Sequence, residues 1–340
     1  MNGNGFQFDP GDEIAGYTIV REIGRGNNGV VYLARQNMLD RLVACKILLP
    51  ETAAEPGYAE AFFQEARNAA KLSHPNIVQA LDVGCVNGCC YFVMEYVEGE
   101  MLETIRIENP ARFTPLFMLS IAVQLADALD YAWRSQKMIH GDVKPENIML
   151  KKSSGAAKLA DFGVARVAGS QVDDGLMATP LYVAPEVVLG TADADPRSDI
   201  YSFGVMLYEL FCGNPPFLGT PEELVRKHVN EAPVPVREAV PGLDWELASF
   251  IDRMIAKLPD DRPQSWMEIH DTLQEIFNRL KADSVPAAVP ASPEVKKKFV
   301  IPQWLKKLPA IAAALPQWLK MLLAIGAAVL AVILAIRIFQ

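Results

Sequence analysis

Metal-ligating side chains are scarce in this sequence, which has five cysteines and four histidines among 340 residues. Three cysteines cluster in "GCVNGCCY" (84–91), but a zinc site would need a second pair of ligands at matching spacing, and no histidine lies beside them. Asn87-Gly88 between two β-rich runs predicts a tight type I′ hairpin, with Cys85 and Cys90 facing each other across its strands. The cysteines are therefore expected as structural thiols, a redox or metal role being the lesser alternative. Positive charge is also short: 32 Lys and Arg stand against 41 Asp and Glu, a formal net of −9. Residues 282–340 hold seven of the cations and two of the anions, so this tail carries +5 and the first 281 residues −14. An acidic body argues against nucleic acid as a partner, because a phosphate backbone needs positive surface. At the N-terminus no apolar run occurs; "MNGNGFQFDPGDEIAG" lacks a signal-peptide core, and residues 1–14 read as a flexible leader.

What is present falls into two compositional regions. From Tyr17 to about Val97 the chain is strand-rich, with "YTIVREIG", "VVYLARQ", "LVACKILLP" and "CCYFVMEYV". One helix interrupts them, "AEAFFQEARNAAKLS", whose Phe62, Ala66, Ala69, Ala70 and Leu72 lie mostly on one face before His74-Pro75 ends it. From about Glu98 to Lys281 helical patterns dominate. "LFMLSIAVQLADALDYAW" and "SDIYSFGVMLYELFCG" are almost continuously apolar and read as buried helices; "DWELASFIDRMIA" and "SWMEIHDTLQEIFNRL" are amphipathic. The expected architecture is α+β and bilobal: a small β-rich lobe over 15–97, a larger helical lobe over 98–281, and a ligand cleft between them.

Several motifs carry chemistry. "GRGNNGVV" fits G-x-G-x-x-G-x-V at Gly24, Gly26, Gly29 and Val31, and glycine lets backbone amides approach phosphate oxygens. A strand follows it rather than a helix, which disfavours a dinucleotide fold. "VACK" puts Lys46 on the next strand, where an ammonium could hold α- and β-phosphates, and Glu65 in the small-lobe helix is its candidate ion-pair partner. "MIHGDVKPENIML" (138–150) sets His140, Asp142, Lys144 and Asn147 at fixed offsets, and "ADFGVA" brings Asp161 fourteen residues after Asn147. Phosphoryl transfer demands charge and position more than covalent chemistry, and two oxygen sites for Mg²⁺ plus a lysine near the phosphates meet that demand.

In this order, the motifs resemble those of the eukaryotic-like (Hanks-type) Ser/Thr protein kinases of bacteria, particularly the membrane-anchored kind, over about 17–280. "HPNIV", "ATPLYVAPE" and "SDIYSFGVMLYEL" match further landmarks. The resemblance implies a kinase domain over 15–281 that transfers the γ-phosphoryl group of ATP to protein Ser/Thr hydroxyls, with Mg²⁺, or Mn²⁺ in its place. ATP would lie under Ile23, Gly24, Arg25, Gly26, Asn27, Asn28, Gly29 and Val31, against Ala44 and the Lys46–Glu65 pair. Met94, Glu95 and Val97 would form the segment between the lobes. Asp142 would accept or orient the substrate hydroxyl's proton, Lys144 would steady the phosphoryl group, and Asn147 and Asp161 would hold the metal. Glu186 should pair with Arg262, and Asp199 should hold the catalytic-loop backbone. Lys144 and Thr179 match the Ser/Thr branch. One departure stands out: Gly141 replaces the arginine of H-R-D, the residue that in the family meets an activation-segment phosphate. Between Asp161 and Glu186 the available hydroxyls are Ser170, Thr179 and Tyr182, the last two in the substrate-facing "ATPLY". The expectation is an enzyme that does not depend on activation-loop phosphorylation, with Asp173 and Asp174 helping to order the loop. The alternative is a membrane-tethered pseudokinase, a scaffold that binds partners without efficient catalysis.

The tail carries a duplication. "PQWLKKLPAIAAAL" (302–315) is followed by "PQWLKMLLAIGAAV" (316–329), identical at ten of fourteen positions. A Pro/Ala/Lys linker is expected over 282–300, an interfacial amphipathic segment over 301–319 and a transmembrane helix over 320–339. The uncharged stretch 321–336 would span only about 24 Å of a roughly 30 Å hydrocarbon core, a short span that snorkelling of Lys320 and Arg337 makes workable; the alternatives are a helix lying on the membrane surface or one buried in an oligomer. Six lysines before this span and one arginine after it place the kinase-like body in the cytoplasm of a single-pass inner-membrane protein. Small residues in the span (Ala324, Gly326, Ala327, Ala328) allow self-association.

Overall fold

The protein is described here from a computed structural model, which defines residues 7–26, 29–55, 57–162, 166–167, 180–190 and 195–284. The tail, with its expected linker, interfacial segment and membrane helix, lies outside the described residues, as do Asn27, Asn28, Ser170, Asp173, Asp174 and Thr179.

Strands β1 (Glu13–Ile14), β2 (Tyr17–Arg25), β3 (Gly29–Gln36), β4 (Arg41–Leu48), β5 (Ala80–Val86) and β6 (Cys89–Glu95) form an antiparallel sheet in the order β1-β2-β3-β4-β6-β5. Alternation along the strands gives the sheet two covered faces. On one, Val30, Tyr32, Ala34, Val43, Cys45, Ile47, Tyr91 and Val93 pack into a core of their own. On the other, Leu48, Cys90 and Phe92 join the main core of the domain through Phe62, Ala66 and Ala69 of a helix. That helix is α2 (Tyr58–Ala70), preceded by the short α1 (Pro50–Ala54). Of the five apolar residues expected on one face, Phe62, Ala66, Ala69 and Leu72 are buried, whereas Ala70 is exposed. Ala70 is the last residue of the helix, and its neighbour Ala69 takes the inward position there.

The turn between β5 and β6 has Asn87 at φ 51° and Gly88 at φ 78°, the backbone a type I′ turn requires. Cys85 and Cys90 face each other with Cα atoms 4.1 Å apart, and they are joined as a disulfide rather than standing as two thiols. The expectation of free structural thiols is thereby corrected: two cysteines opposed across strands can stand as thiols or join, and the order of residues does not distinguish the two. Cys45, Cys89 and Cys212 are free, and burial pushes their thiols up to about 12, 11 and 11, so they are poor thiolates. Among the described residues no cluster of three His, Cys, Asp or Glu side chains has metal-binding geometry.

The larger part follows β7 (Gly99–Met101), with α3 (Leu102–Glu108) and α4 (Pro115–Gln136). Thr114 caps α4 by accepting from the Phe117 amide, and Pro115 opens the helix without losing a needed donor. With 22 residues and a mean hydropathy of 1.2, α4 is long and apolar enough to cross a membrane. Half of that apolar window is buried inside the protein, against α10 among others, as a core helix would be. Short strands β8 (Met138–Ile139), β9 (Ile148–Lys151), β10 (Ala157–Leu159) and β11 (Arg166–Val167) bracket the loops that carry the motifs. Then come α5 (Pro185–Leu189), α6 (Pro196–Cys212), α7 (Pro221–Asn230), α8 (Val236–Ala239), α9 (Trp245–Met254) and α10 (Trp266–Ser284). Every residue of α6 from Ser198 to Leu210 is buried, so this helix is the axis of the lobe.

Candidate active site

The crevice begins on β4. Its register sets Val31 opposite Lys46 and Ala44 opposite Met94, and alternation turns Lys46 away from the Cys45 and Ile47 face. Lys46 Nζ lies 2.9 and 3.0 Å from the two carboxylate oxygens of Glu65 on α2. It is also 3.9 Å from Asp161 Oδ1, which follows β10 in the other lobe. Burial works against the lysine's charge, but the two carboxylates outweigh it and the pKa is raised, so Lys46 stays cationic. Glu65 is also raised, because its own burial and the negative charge of Asp161 exceed the attraction of Lys46. The bidentate contact fits a charged pair.

Around Lys46 the other small-lobe residues line up unevenly. Ala44 and Val97 are buried; Ile23, Val31, Met94 and Glu95 are half-buried. Arg25 is exposed and tied to Glu22 at 2.6 Å, and the Glu95 carboxylate accepts from Lys158 Nζ at 2.7 Å. Gly29 has to be glycine, since a Cβ there would sit 2.6 Å from the Ile47 carbonyl oxygen. Gly24 and Gly26 differ: a Cβ on either would meet nothing nearer than 3.9 and 4.0 Å. The protein's own packing makes no demand for glycine at these two positions, whereas a phosphate approaching the backbone does.

The opposite wall is the loop between β8 and β9. Asp199, from α6, is 2% exposed and accepts from the His140 amide at 2.6 Å and the Gly141 amide at 2.8 Å. Its pKa is raised by burial, against which those two amides act. Gly141 adopts φ 79°, in the left-handed region. Its N–H can meet Asp199 in that conformation without the strain an arginine would carry, roughly 1–2 kcal/mol. His140 is buried; its Nδ1 accepts from the Asp142 amide at 3.2 Å and Nε2 donates to the Ala160 carbonyl at 3.0 Å, which links this loop to the segment leading to Asp161. Asp142 Oδ2 is 2.5 Å from Lys144 Nζ and accepts from Asn147 Nδ2 at 3.1 Å, while the same nitrogen reaches the Asp142 carbonyl at 2.8 Å. Those bonds use the nitrogen of Asn147 and not its oxygen. Asn147 Oδ1 and the half-exposed Asp161 carboxylate are hard oxygen donors, a set that fits Mg²⁺. Asp161 itself holds φ 63°, unusual for a non-glycine residue and found here beside the reacting groups.

Arg262 is fully buried, with Nη1 and Nη2 at 2.7 and 2.8 Å from the Glu186 carboxylate, and it also donates to the carbonyls of Arg197, Ala256 and Lys257. Sequence reasoning missed how the acceptor-facing segment is held. Tyr182, offered as an available hydroxyl, is 3% exposed and donates to Glu209 Oε2 at 2.6 Å. Burial and that carboxylate raise its pKa, so it is a tether rather than a modification site. Glu209 also lies 3.5 Å from Arg106 of α3, and Ser202 Oγ donates to the Tyr182 carbonyl at 2.8 Å. The one signal for these partners was a serine and a glutamate inside the apolar run that forms α6.

Comparison with known proteins agrees with this geometry. The family described as "Protein kinase domain" matches residues 17–277. The chain is 37% identical over 286 residues to serine/threonine-protein kinase pkn2 of Myxococcus xanthus, covering 81% of this chain and 34% of that protein. It is 35% identical over 272 residues to serine/threonine-protein kinase PknB of Mycobacterium tuberculosis, covering 77% of this chain and 43% of that one. It thus spans less than half the length of these curated relatives. Among solved structures, the kinase domain of Mycobacterium tuberculosis PknI, as a double mutant, matches with a TM-score of 0.64 and 32% identity, covering 80% of this chain and 100% of that one. The chain belongs to the protein kinase domain family, and its relatives are bacterial Ser/Thr kinases.

Proposed function

We propose that the protein is an ATP-dependent Ser/Thr protein kinase that is active without a phosphate on its activation segment. The observation that carries this reading is the convergence on one crevice of Lys46 paired to Glu65, Asp161 3.9 Å from Lys46, and Asp142 in contact with Lys144 and Asn147. Asp142 would take or orient the proton of an acceptor hydroxyl while Lys144 and Lys46 steady the phosphates. Bound Mg²⁺, held by Asn147 and Asp161, would neutralise charge on the phosphates. Gly141 removes the side chain that would answer an activation-segment phosphate, a contact worth about 1.5–3 kcal/mol. The loop it belongs to is secured instead by its backbone to Asp199. The relatives' names, which specify Ser/Thr kinases, support the same substrate class.

The rival reading, a pseudokinase scaffold, draws chiefly on Gly141, with the acidic surface and an anchor that could concentrate partners, but the four residues nearest the reaction (Lys46, Asp142, Asn147, Asp161) are all retained. Transfer of labelled γ-phosphate from ATP with Mg²⁺ decides between them. The wild type should label itself or a Ser/Thr peptide library well above Asp142→Ala; equal labelling of the two would leave only the scaffold. Phosphatase treatment should leave wild-type activity in place.

The residues beyond 285 complete the proposal: a single-pass inner-membrane anchor that keeps the kinase domain in the cytoplasm and permits self-association, with cytosolic proteins as substrates. The duplicated Trp-Leu-Lys segments and the lysine-before, arginine-after charge pattern support it. Flotation of the full chain with liposomes, set against a chain ending at 284, tests it; sedimentation of both at the bottom of the gradient would remove the anchor.

A further inference from the structure

His228 has no part in the reading so far, yet it is fully buried and both its ring nitrogens are engaged. Its helix, α7, opens with a complete capping box between Thr220 and Glu223 and is otherwise mostly solvent-facing. One ring nitrogen, Nδ1, is 2.9 Å from the Tyr201 hydroxyl of α6. The other, Nε2, is 3.0 Å from the main-chain carbonyl of Leu181, which immediately precedes Tyr182. A carbonyl only accepts, so Nε2 carries the proton and Nδ1 accepts from Tyr201; the two partners fix one neutral tautomer.

The surroundings keep it so. Tyr201 and Phe217 set their rings edge-on to the imidazole, with centroids 5.7 and 5.1 Å away. Lys257, from the segment after α9, donates to the His228 carbonyl at 2.7 Å and lies over Phe217, and Arg262 lies over the Tyr201 ring. The charged groups facing this site are thus cations, with Glu186 already committed to Arg262 and Glu231 acting on Lys257 from the end of α7. Burial and the Lys257 charge press the imidazole pKa down to about 4.

We propose that His228 is a positioning residue for the protein acceptor: through the Leu181 carbonyl it fixes the segment that receives the acceptor chain. That segment is otherwise gripped by α6, through Ser202 on the Tyr182 carbonyl and Glu209 on its hydroxyl. His228 adds the grip from α7, so displacement of that helix would be felt at the acceptor site. The inference rests on the kinase reading above.

Three substitutions in the full chain separate positioning from packing. In His228→Gln the side-chain amide nitrogen reaches the Leu181 carbonyl but no acceptor is left for Tyr201. His228→Asn keeps an oxygen near Tyr201 and falls short of Leu181, and His228→Leu keeps neither. With the best acceptor from a Ser/Thr peptide library, the Asn and Leu variants should show a KM for peptide raised about tenfold, a much smaller change in kcat, and a KM for ATP within about twofold of wild type. The Gln variant should recover most of the peptide KM. Amide hydrogen exchange over 180–184 should quicken in Asn and Leu and stay near wild type in Gln. Equal peptide KM in all three, or exchange that tracks thermal stability alone, would overturn the positioning role while leaving the kinase reading intact. A wild type that phosphorylates nothing would sink both.

Discussion

On the small-lobe wall of the crevice, Lys46 is held by a close ion pair to Glu65 and a longer one to Asp161, with 21% of its side chain exposed. On the large-lobe wall, Asp142 stands on a loop whose backbone is fastened to Asp199 at 2% exposure, and the same lobe buries the Arg262–Glu186 pair. The contrast is between a lysine whose nearest partner a shift of α2 would carry away and a loop fastened by buried charge-assisted bonds within its own lobe. On the proposed reading, a shift of α2 is what would change the Lys46 contacts, and the catalytic loop needs no added phosphate to be held.

The experiments that break or sharpen this contrast differ in size. Asp142→Ala should cut phosphoryl transfer by about a thousandfold while leaving thermal stability near wild type, measured by single-turnover kinetics and calorimetry. Arg262→Met strands a buried carboxylate, so chemical denaturation should show a loss of about 3–5 kcal/mol, against little for a surface pair such as Arg226 and Glu231. Acid should find the same side of the molecule. His228 is held at about 4 in the folded chain against 6.5 unfolded. Above pH 6.5 both states leave it neutral; as pH falls from there toward 4 the unfolded chain alone takes up the proton. Stability should drop by about 3 kcal/mol across that window, and His228→Gln should lack this part of the drop. The smallest effect is expected from Gly141→Arg, which puts a Cβ at φ 79°. A loss of about 1–2 kcal/mol should appear in urea melts, with transferase activity retained. A large loss of activity instead would mean that the loop tolerates far less at this position than its two bonds to Asp199 suggest.

Legibility from the sequence followed distance along the chain. Asp142, Lys144 and Asn147 fall within six residues, so their mutual geometry is set by one loop and the motif exposes it. The hairpin at Asn87-Gly88 was readable for the same reason, though not the covalent bond its narrow gap permits between Cys85 and Cys90. Lys46 and Glu65 lie 19 residues apart, on a strand and a helix, so their pairing is a candidate that only the packing of α2 on the sheet completes. Tyr182 shows the opposite case. Its hydroxyl looked available because its neighbours in "ATPLY" suggest a surface segment, and only α6, 27 residues further on, takes it into the interior.

By itself the sequence determined the local parts: the alternation that makes β4 present Lys46 on one face, the caps that open α4 and α7, the glycines at 24, 26 and 29, and the close spacing of the 138–150 loop. These are set by neighbours within a turn or a strand, where backbone geometry leaves few choices. Tertiary structure alone decided which other buried polar groups meet: Glu209 with Tyr182, Ser202 with the Tyr182 carbonyl, His228 with Leu181. A buried donor or acceptor must find a partner wherever packing brings one. That partner lies tens of residues away, so no pattern in the chain announces it.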